Sequence, residues 1–343
     1  MIVESKNVQN MHQSPAFAKP LLQEVRSINV VSLFNGMGTL RQAFHNLGIK
    51  VNNYYSSEIK TYAIKLQQHH FPDVIQVGDI RNWREWDIDW SSIDFIGSGS
   101  PCQDLSSIGK REGLNGEKSS LFFAFIDILN HCKSLNPNVK FLQENVGSAS
   151  KLDVGIMSRL LGVYPARLNS ELVVAQQRDR YYWSNIKMRK DLFDMVTDIP
   201  DPMDRKILLK DIITSGEVKE DKHKALMHRM YYSFAHKDKL SEKAQKYIRD
   251  REKFGNTIIY EDEYLRMANK IELCRLQGFP DNFIIPVSDN QAYKQFGNSV
   301  SVPVIKAIAN QIKIALEKPR LKHSFKEFTL FNYEYEDRKV ATL

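Results

Sequence analysis

Short apolar runs alternate with polar or glycine-containing breaks through the first half of the chain. Ile28-Asn29-Val30-Val31-Ser32-Leu33-Phe34 is β-branched and apolar enough for a central parallel strand. Past Asn35-Gly36-Met37-Gly38-Thr39, residues Leu40, Ala43, Phe44 and Leu47 repeat at helical spacing, and Gly48 is a natural stop. The pattern then repeats as a strand over 51–56, a helix over 59–70, a strand over 74–80 and an apolar run over 93–96. Ser119 or Ser120 caps a helix with Leu121, Phe122, Phe125, Ile126 and Leu129 on one face, and residues 139–143 form a fifth strand. Strand and helix in alternation predict an α/β fold with a doubly wound, mostly parallel sheet.

Polar residues stand where these strands end. Glu58 follows the second strand, where an acidic group can take a ribose's hydroxyls, although a surface glutamate looks the same. Asp79 closes the third, as an acceptor for an adenine amino group or as a helix cap. The fourth breaks into Gly97-Ser98-Gly99-Ser100-Pro101-Cys102, a stiff loop that presents a thiol. Most cysteines are small buried hydrophobes, and the loop alone does not decide the matter. The fifth strand leads into Glu144-Asn145-Val146. Further on, Gln176-Gln177-Arg178-Asp179-Arg180 alternates arginines, which puts both guanidinium groups on one side of an extended strand. Such donors suit a carboxylate, phosphate or base carbonyl; a salt-bridged edge strand is the plainer reading. Gly36 and Gly38 before a helix suit a nucleotide cofactor, but Arg41 breaks the dinucleotide pattern.

Composition narrows the class. The 343 residues are 42% hydrophobic and 26% charged, as in an ordinary globular protein. Cys102, Cys132 and Cys274 form no metal or disulfide spacing, so no metal is expected and a reducing compartment fits. Residues 1–20 are polar and no apolar run reaches membrane length, so a cytoplasmic protein without a membrane partner is expected. The net charge is +7, and residues 203–253 alone carry 14 Lys and Arg against 9 Asp and Glu. With Met230-Tyr231-Tyr232-Ser233-Phe234 interleaved, that segment suits contact with a polyanion, although a solvated helical face explains the charge equally well.

The chain resembles the cytosine-C5 DNA methyltransferases. The blocks that carry the resemblance occur in the family's order: Phe34-Asn35-Gly36-Met37-Gly38, Glu58, Gly78-Asp79, Gly99-Ser100-Pro101-Cys102-Gln103, Glu144-Asn145-Val146, Gln177-Arg178-Asp179-Arg180 and Gly297-Asn298-Ser299-Val300. Cys102-Gln103-Asp104-Leu105-Ser106 is most similar to the de novo branch and its phage and bacterial relatives. Three positions depart from the pattern. Asn35 stands for cysteine or aspartate, Thr39 for glycine, and Gln143 for phenylalanine.

The resemblance implies a Rossmann-like methyltransferase domain over 28–187 plus 270–316. It implies a small target-recognition region over 188–269, an arm over 1–27 and a tail over 317–343. It implies S-adenosyl-L-methionine as methyl donor, held by Phe34, Asn35, Gly36, Gly38, Thr39, Glu58, Asp79, Ile80, Asn298, Ser299 and Val300. It implies catalysis by Cys102, Glu144, Arg178 and Arg180 on a cytosine flipped out of double-stranded DNA. Cys102 would add to C6, Glu144 would protonate N3, and the arginines would hold the base carbonyl and orient Glu144 or the cysteine loop. A monomer or weak homo-oligomer in a bacterial cell or phage-infected host is expected. Other readings are a transfer-RNA methyltransferase of the same fold, disfavoured by Pro101-Cys102-Gln103-Asp104, and a non-catalytic binding homologue, disfavoured because Cys102 and Glu144 are present. A nicotinamide oxidoreductase is more distant still.

Residues 191–203, with two prolines, read as a linker, and 110–118 as a mobile loop or lid. Helices are expected over 267–277 and from about Pro303, where Ile305, Ile308, Ala309 and Ile312 make a stripe that returns beside the first strand.

Overall fold

Ile28–Leu33 forms β1, and all but one of its residues are buried, as a continuously apolar strand covered on both faces must be. The computed structural model describes residues 26–101, 114, 121–226, 235–242, 245–246 and 257–317. The other strands of the main sheet are β2 (Val51–Ser57), β3 (Ile75–Gln76), β4 (Phe95–Ser98), β5 (Lys140–Val146), β6 (Ala166–Asn169) and β7 (Asp179–Ser184). They lie in the order β3-β2-β1-β4-β5-β7-β6. The first five are mutually parallel, and β7 runs antiparallel between β5 and β6. The chain moves outward from β1 to β3 and then restarts on the other side at β4. That reversal opens a crevice at the carboxyl ends of β1 and β4.

Helices cover both faces. α1 (Thr39–Asn46) packs against α7 (Val302–Glu317) on one face, where Val30, Phe44, Phe95, Ile305 and Ile308 share a core. Gly97 permits this approach, since a Cβ there would overlap Leu40 of α1. On the other face, α3 (Leu121–Leu135) and α4 (Lys151–Leu161) pack with two 3-10 turns that bring in Trp83 and Trp90. α2 (Thr61–His70) follows β2, and α5 (Lys270–Gln277) and α6 (Asp289–Asn298) form a third core cluster with Leu209, Ile259 and Met267.

Two expectations are corrected. The third strand is only two residues long, because the chain turns at Gly78 (φ +82°) and Asp79 caps a 3-10 turn by accepting from Arg81 N. The expected linker over 191–203 contains part of a hairpin, β8 (Met188–Asp191) paired antiparallel with β9 (Asp194–Thr197), with Leu192 and Phe193 exposed at its tip. No turn glycine announces it. A second small sheet joins β10 (Ala235–His236), β11 (Ile259–Tyr260) and β12 (Tyr264–Arg266). No helix among the described residues is long and apolar enough to cross a membrane.

The segment after β9 is fastened to the main domain at Lys222 and His223. The Lys222 ammonium donates to the carbonyls of Glu171, Val174 and Ile207. The His223 backbone bridges Ala175 and Gln177, and its ring pairs with the Lys224 carbonyl and accepts from Thr257 N. Complete burial pushes the imidazole down to about 4. The unfolded chain takes up that proton near pH 6.5 and the folded one only near pH 4, so stability falls as pH drops through this window. Urea titrations are expected to show a loss of about 3 kcal/mol between those limits. The loss is expected to be absent in His223→Asn.

Candidate active site

Strand register lines up the site. Leu33 of β1 pairs with Ser57 of β2 and with Ser98 of β4, and Ser98 pairs with Gln143 of β5. These four residues form a row across the sheet. Phe34, Glu58, Gly99 and Glu144 each come one position later, at the same edge.

The turn after β1 is held from below. Asn35 is buried, and its side chain accepts from Ser32 Oγ and Tyr54 Oη and donates to Ser56 Oγ. Burial raises the Tyr54 phenol well above its usual range, so it stays a donor. Gln67 of α2 accepts from Ser56 Oγ and Gln76 Nε2 and donates to the Gly36 carbonyl. Phe34 (φ +54°), Gly36 (φ +55°) and Gly38 (φ +82°) all adopt left-handed backbone. For a phenylalanine that conformation is strained, and such strain concentrates at ligand sites.

Glu58 ties this turn to the next. Its Oε2 accepts from Gly36 N at 2.8 Å, and its Oε1 accepts from Ile59 N and Lys60 N at 2.9 Å each. A carboxylate has about four acceptor positions, so one remains for a ligand hydroxyl. The Asp79 carboxylate is engaged by Arg81, whose hydrogen bonds hold it below the usual carboxylate range. Ile80 is core. Thr39 Oγ1 meets Ser299 Oγ at 2.7 Å, across 260 residues of sequence. Because Ser299 Oγ donates to Val300 O, Thr39 is the donor of the pair. Asn298 is exposed at the end of α6, and Val300 packs on the α1–α7 core.

At the end of β5, Arg180 Nε lies 2.9 Å from Glu144 Oε1. Glu144 Oε2 would be 3.6 Å from a Cβ built on Gly99, so the second oxygen faces the loop after β4. That loop is anchored by Ser100, whose Oγ receives Gln143 Nε2 and Asn145 Nδ2. Cys102 lies outside the described residues, as do the lid candidate 110–118 apart from Leu114 and the aromatic stretch 230–234. Arg178 precedes β7, and its guanidinium donates to Gly297 O at 3.1 Å, joining the β7 edge to the end of α6. The two arginines therefore meet different partners.

Sequence reasoning assigns no role to Ser32, Tyr54, Ser56 and Gln67 under the turn, nor to Ser100 and Asn145 under the cysteine loop, although these last two lie in the blocks that carry the resemblance. Small polar residues at strand ends were the available signal. No group of three or more metal-ligating side chains occurs among the described residues.

The arrangement combines a backbone cradle with an acidic partner, a carboxylate paired to an arginine, and a loop leading to a thiol. The family model described as C-5 cytosine-specific DNA methylase matches residues 28–244 and 206–314. Type II methyltransferase M1.ScrFI of Lactococcus lactis subsp. cremoris is 32% identical over 85% of this chain and 79% of its own length. Type II methyltransferase M.NlaX of Neisseria lactamica is also 32% identical, over 84% of this chain and 96% of its own. Among solved structures, the Entamoeba histolytica methyltransferase EhMeth superposes with a TM-score of 0.60 over 85% of this chain and all of its own, at 16% identity. That likeness concerns the fold alone.

Proposed function

The chain belongs to the C-5 cytosine-specific DNA methylase family, and on that premise we propose that it methylates a cytosine flipped out of double-stranded DNA, with Cys102 as covalent nucleophile and Glu144 as proton donor. The enzyme is an S-adenosyl-L-methionine-dependent DNA cytosine-C5 methyltransferase. The observation that carries the residue assignment is the alignment of strand ends. The cradle at Gly36, Glu58 beside it and Glu144 all occupy one edge, and the Cys102 loop leaves from the same edge.

S-Adenosyl-L-methionine supplies an electrophilic methyl group. The residues present fit it, because Glu58 keeps an acceptor position beside the Gly36 turn, which Glu58 and Gln67 hold in place. Phe34, Asn35, Thr39, Asp79, Ile80, Asn298, Ser299 and Val300 would complete that wall, with the Asn35 side chain held from below.

Cytosine C5 is a poor nucleophile while its ring is aromatic. The Cys102 thiolate adds to C6 and makes C5 enamine-like. Glu144 delivers a proton to N3 as charge builds on the ring, and Arg180 holds that carboxyl in place through Oε1. Arg178, through Gly297, keeps the wall beside the base in register. Once C5 carries the transferred methyl group, loss of the C5 proton to water expels Cys102 as thiolate and restores the aromatic ring. A stacked base is out of reach of all these groups, so flipping must come first. Residues 28–187 and 270–316 form the catalytic unit. Residues 188–269, whose basic excess lies within 203–253, hold the duplex in the cytoplasm of a bacterium or infected host, in a protein acting as a monomer or weak oligomer.

Incubation with tritiated S-adenosyl-L-methionine is expected to label unmethylated duplex DNA, recovered as 5-methylcytosine. Label confined to transfer RNA would overturn the reading. Thr39→Val removes the hydroxyl that donates to Ser299. It is expected to weaken S-adenosyl-L-methionine binding about fivefold by calorimetry, the equivalent of one hydrogen bond of about 1 kcal/mol.

A further inference from the structure

Two side-chain amides of β5 converge on one hydroxyl. Gln143 Nε2 donates to Ser100 Oγ at 2.8 Å, and Asn145 Nδ2 donates to the same oxygen at 3.2 Å. Gln143, Asn145 and Ser100 are 0%, 1% and 3% exposed. The orientation of the Gln143 amide follows from a third contact. Its Nε2 also lies 2.8 Å from the Glu144 carbonyl oxygen, which only accepts, so the nitrogen must be the atom on that side. Ser100 Oγ accordingly accepts twice, which uses both of its lone pairs.

We propose that Gln143 is a positioning residue for methyl transfer. With Asn145 it clamps Ser100 and so fixes the backbone two residues before Cys102, on the strand that carries Glu144. The inference rests on the methyltransferase reading given above.

A purely structural role does not explain the amide. Gln143 Oε1 is buried and has no hydrogen-bond partner among the described residues, and a buried unpaired acceptor destabilises the fold. An apolar side chain of similar length would fill the same space without that cost. The position retains a destabilising group whose donor end grips the loop that presents the nucleophile. Such a group trades stability for the geometry of the reacting atoms. It also gives a consequence to the departure at this position, where a phenylalanine has no donor to offer.

The test compares Gln143→Met, Ser100→Ala and the double variant with the intact protein. Three readouts are used: melting temperature, steady-state methyl transfer, and the rate at which iodoacetamide alkylates Cys102, followed by mass spectrometry. Gln143→Met is expected to melt at the same or a higher temperature and to lose about tenfold in kcat. KM for DNA and for S-adenosyl-L-methionine should stay within about twofold, because the lost interaction orients the nucleophile and does not bind substrate. The double variant should be no slower than Ser100→Ala, since that change already removes the hydroxyl which Gln143 grips. The Cys102 alkylation rate should shift several-fold, with buried Cys132 and Cys274 as unreactive controls. A Gln143→Met protein with unchanged kcat and unchanged alkylation would overturn the proposal. So would a loss of activity that tracks a fall in melting temperature and adds to that of Ser100→Ala. If the intact protein labels no DNA while alkylation still responds to Gln143→Met, the clamp stands and the methyltransferase reading fails.

Discussion

Replacing Cys102 by alanine is expected to reduce methyl transfer to background, and Glu144→Gln to lower kcat by about 10²–10⁴-fold. The first effect is the larger because the thiolate creates the nucleophilic C5; without it there is no covalent route. No other thiol in the chain can substitute. Cys132 and Cys274 are buried against Trp90 O and Phe283 O, and burial pushes both thiols up to about 12. Glu144→Gln preserves shape and still offers Arg180 Nε an oxygen, so the site should stay assembled. What is lost is the carboxyl proton for N3. KM for DNA should therefore change much less than kcat, a split that single-turnover label transfer reads directly. A Glu144→Gln enzyme with near-normal kcat would remove Glu144 from the chemistry.

The second large effect lies away from the reaction. Arg266→Met is expected to cost about 3–5 kcal/mol in urea unfolding, because it strands a buried carboxylate. Arg266 donates to Glu272 Oε2 at 2.7 Å and Oε1 at 2.9 Å, to Glu261 at 2.7 Å and to Ser215 O at 2.8 Å. Glu272 is 1% exposed and also accepts from Thr214 N and Asn269 N. The network joins the segment at 214–215, β12 and α5. Changing both partners, Arg266→Met with Glu272→Leu, should recover much of the loss, since no unpaired charge remains. Acid response gives a second reading of the same pair. Burial alone would raise the Glu272 carboxyl, but hydrogen bonds from Arg266 and the two backbone amides outweigh it and hold it below 4.5. Its contribution is therefore present above about pH 4.5 and lost as pH falls through the lower folded value. In Arg266→Met the strongest of those bonds is gone, and the acid-induced loss should shrink.

Local pattern determined a good deal. Apolar periodicity gave the alternation of strands and helices and hence the fold class, because it records which face of a segment is buried. The ordered blocks around Pro101-Cys102, Glu144-Asn145-Val146 and Gly297-Asn298-Ser299-Val300 pointed to the family, because each keeps its residue types within a few positions. Periodicity says nothing of which segment covers a buried face, and only the tertiary structure decided that. Asn35 looked like a cofactor contact, yet its side chain has three partners beneath the turn, on β1 and β2. Alternation placed Arg178 and Arg180 on one side of a strand, but Arg178 lies before β7 begins and its buried guanidinium finds Gly297. The exposed tip of the β8–β9 hairpin carries Leu192 and Phe193 without a turn glycine, so a linker was the natural reading of its composition. Thr39 with Ser299, and Gln143 with Ser100, are contacts between segments 260 and 43 residues apart. Such pairs form because buried donors and acceptors must be matched wherever the packed sheet and helices bring them together, and that matching is a property of the assembled fold.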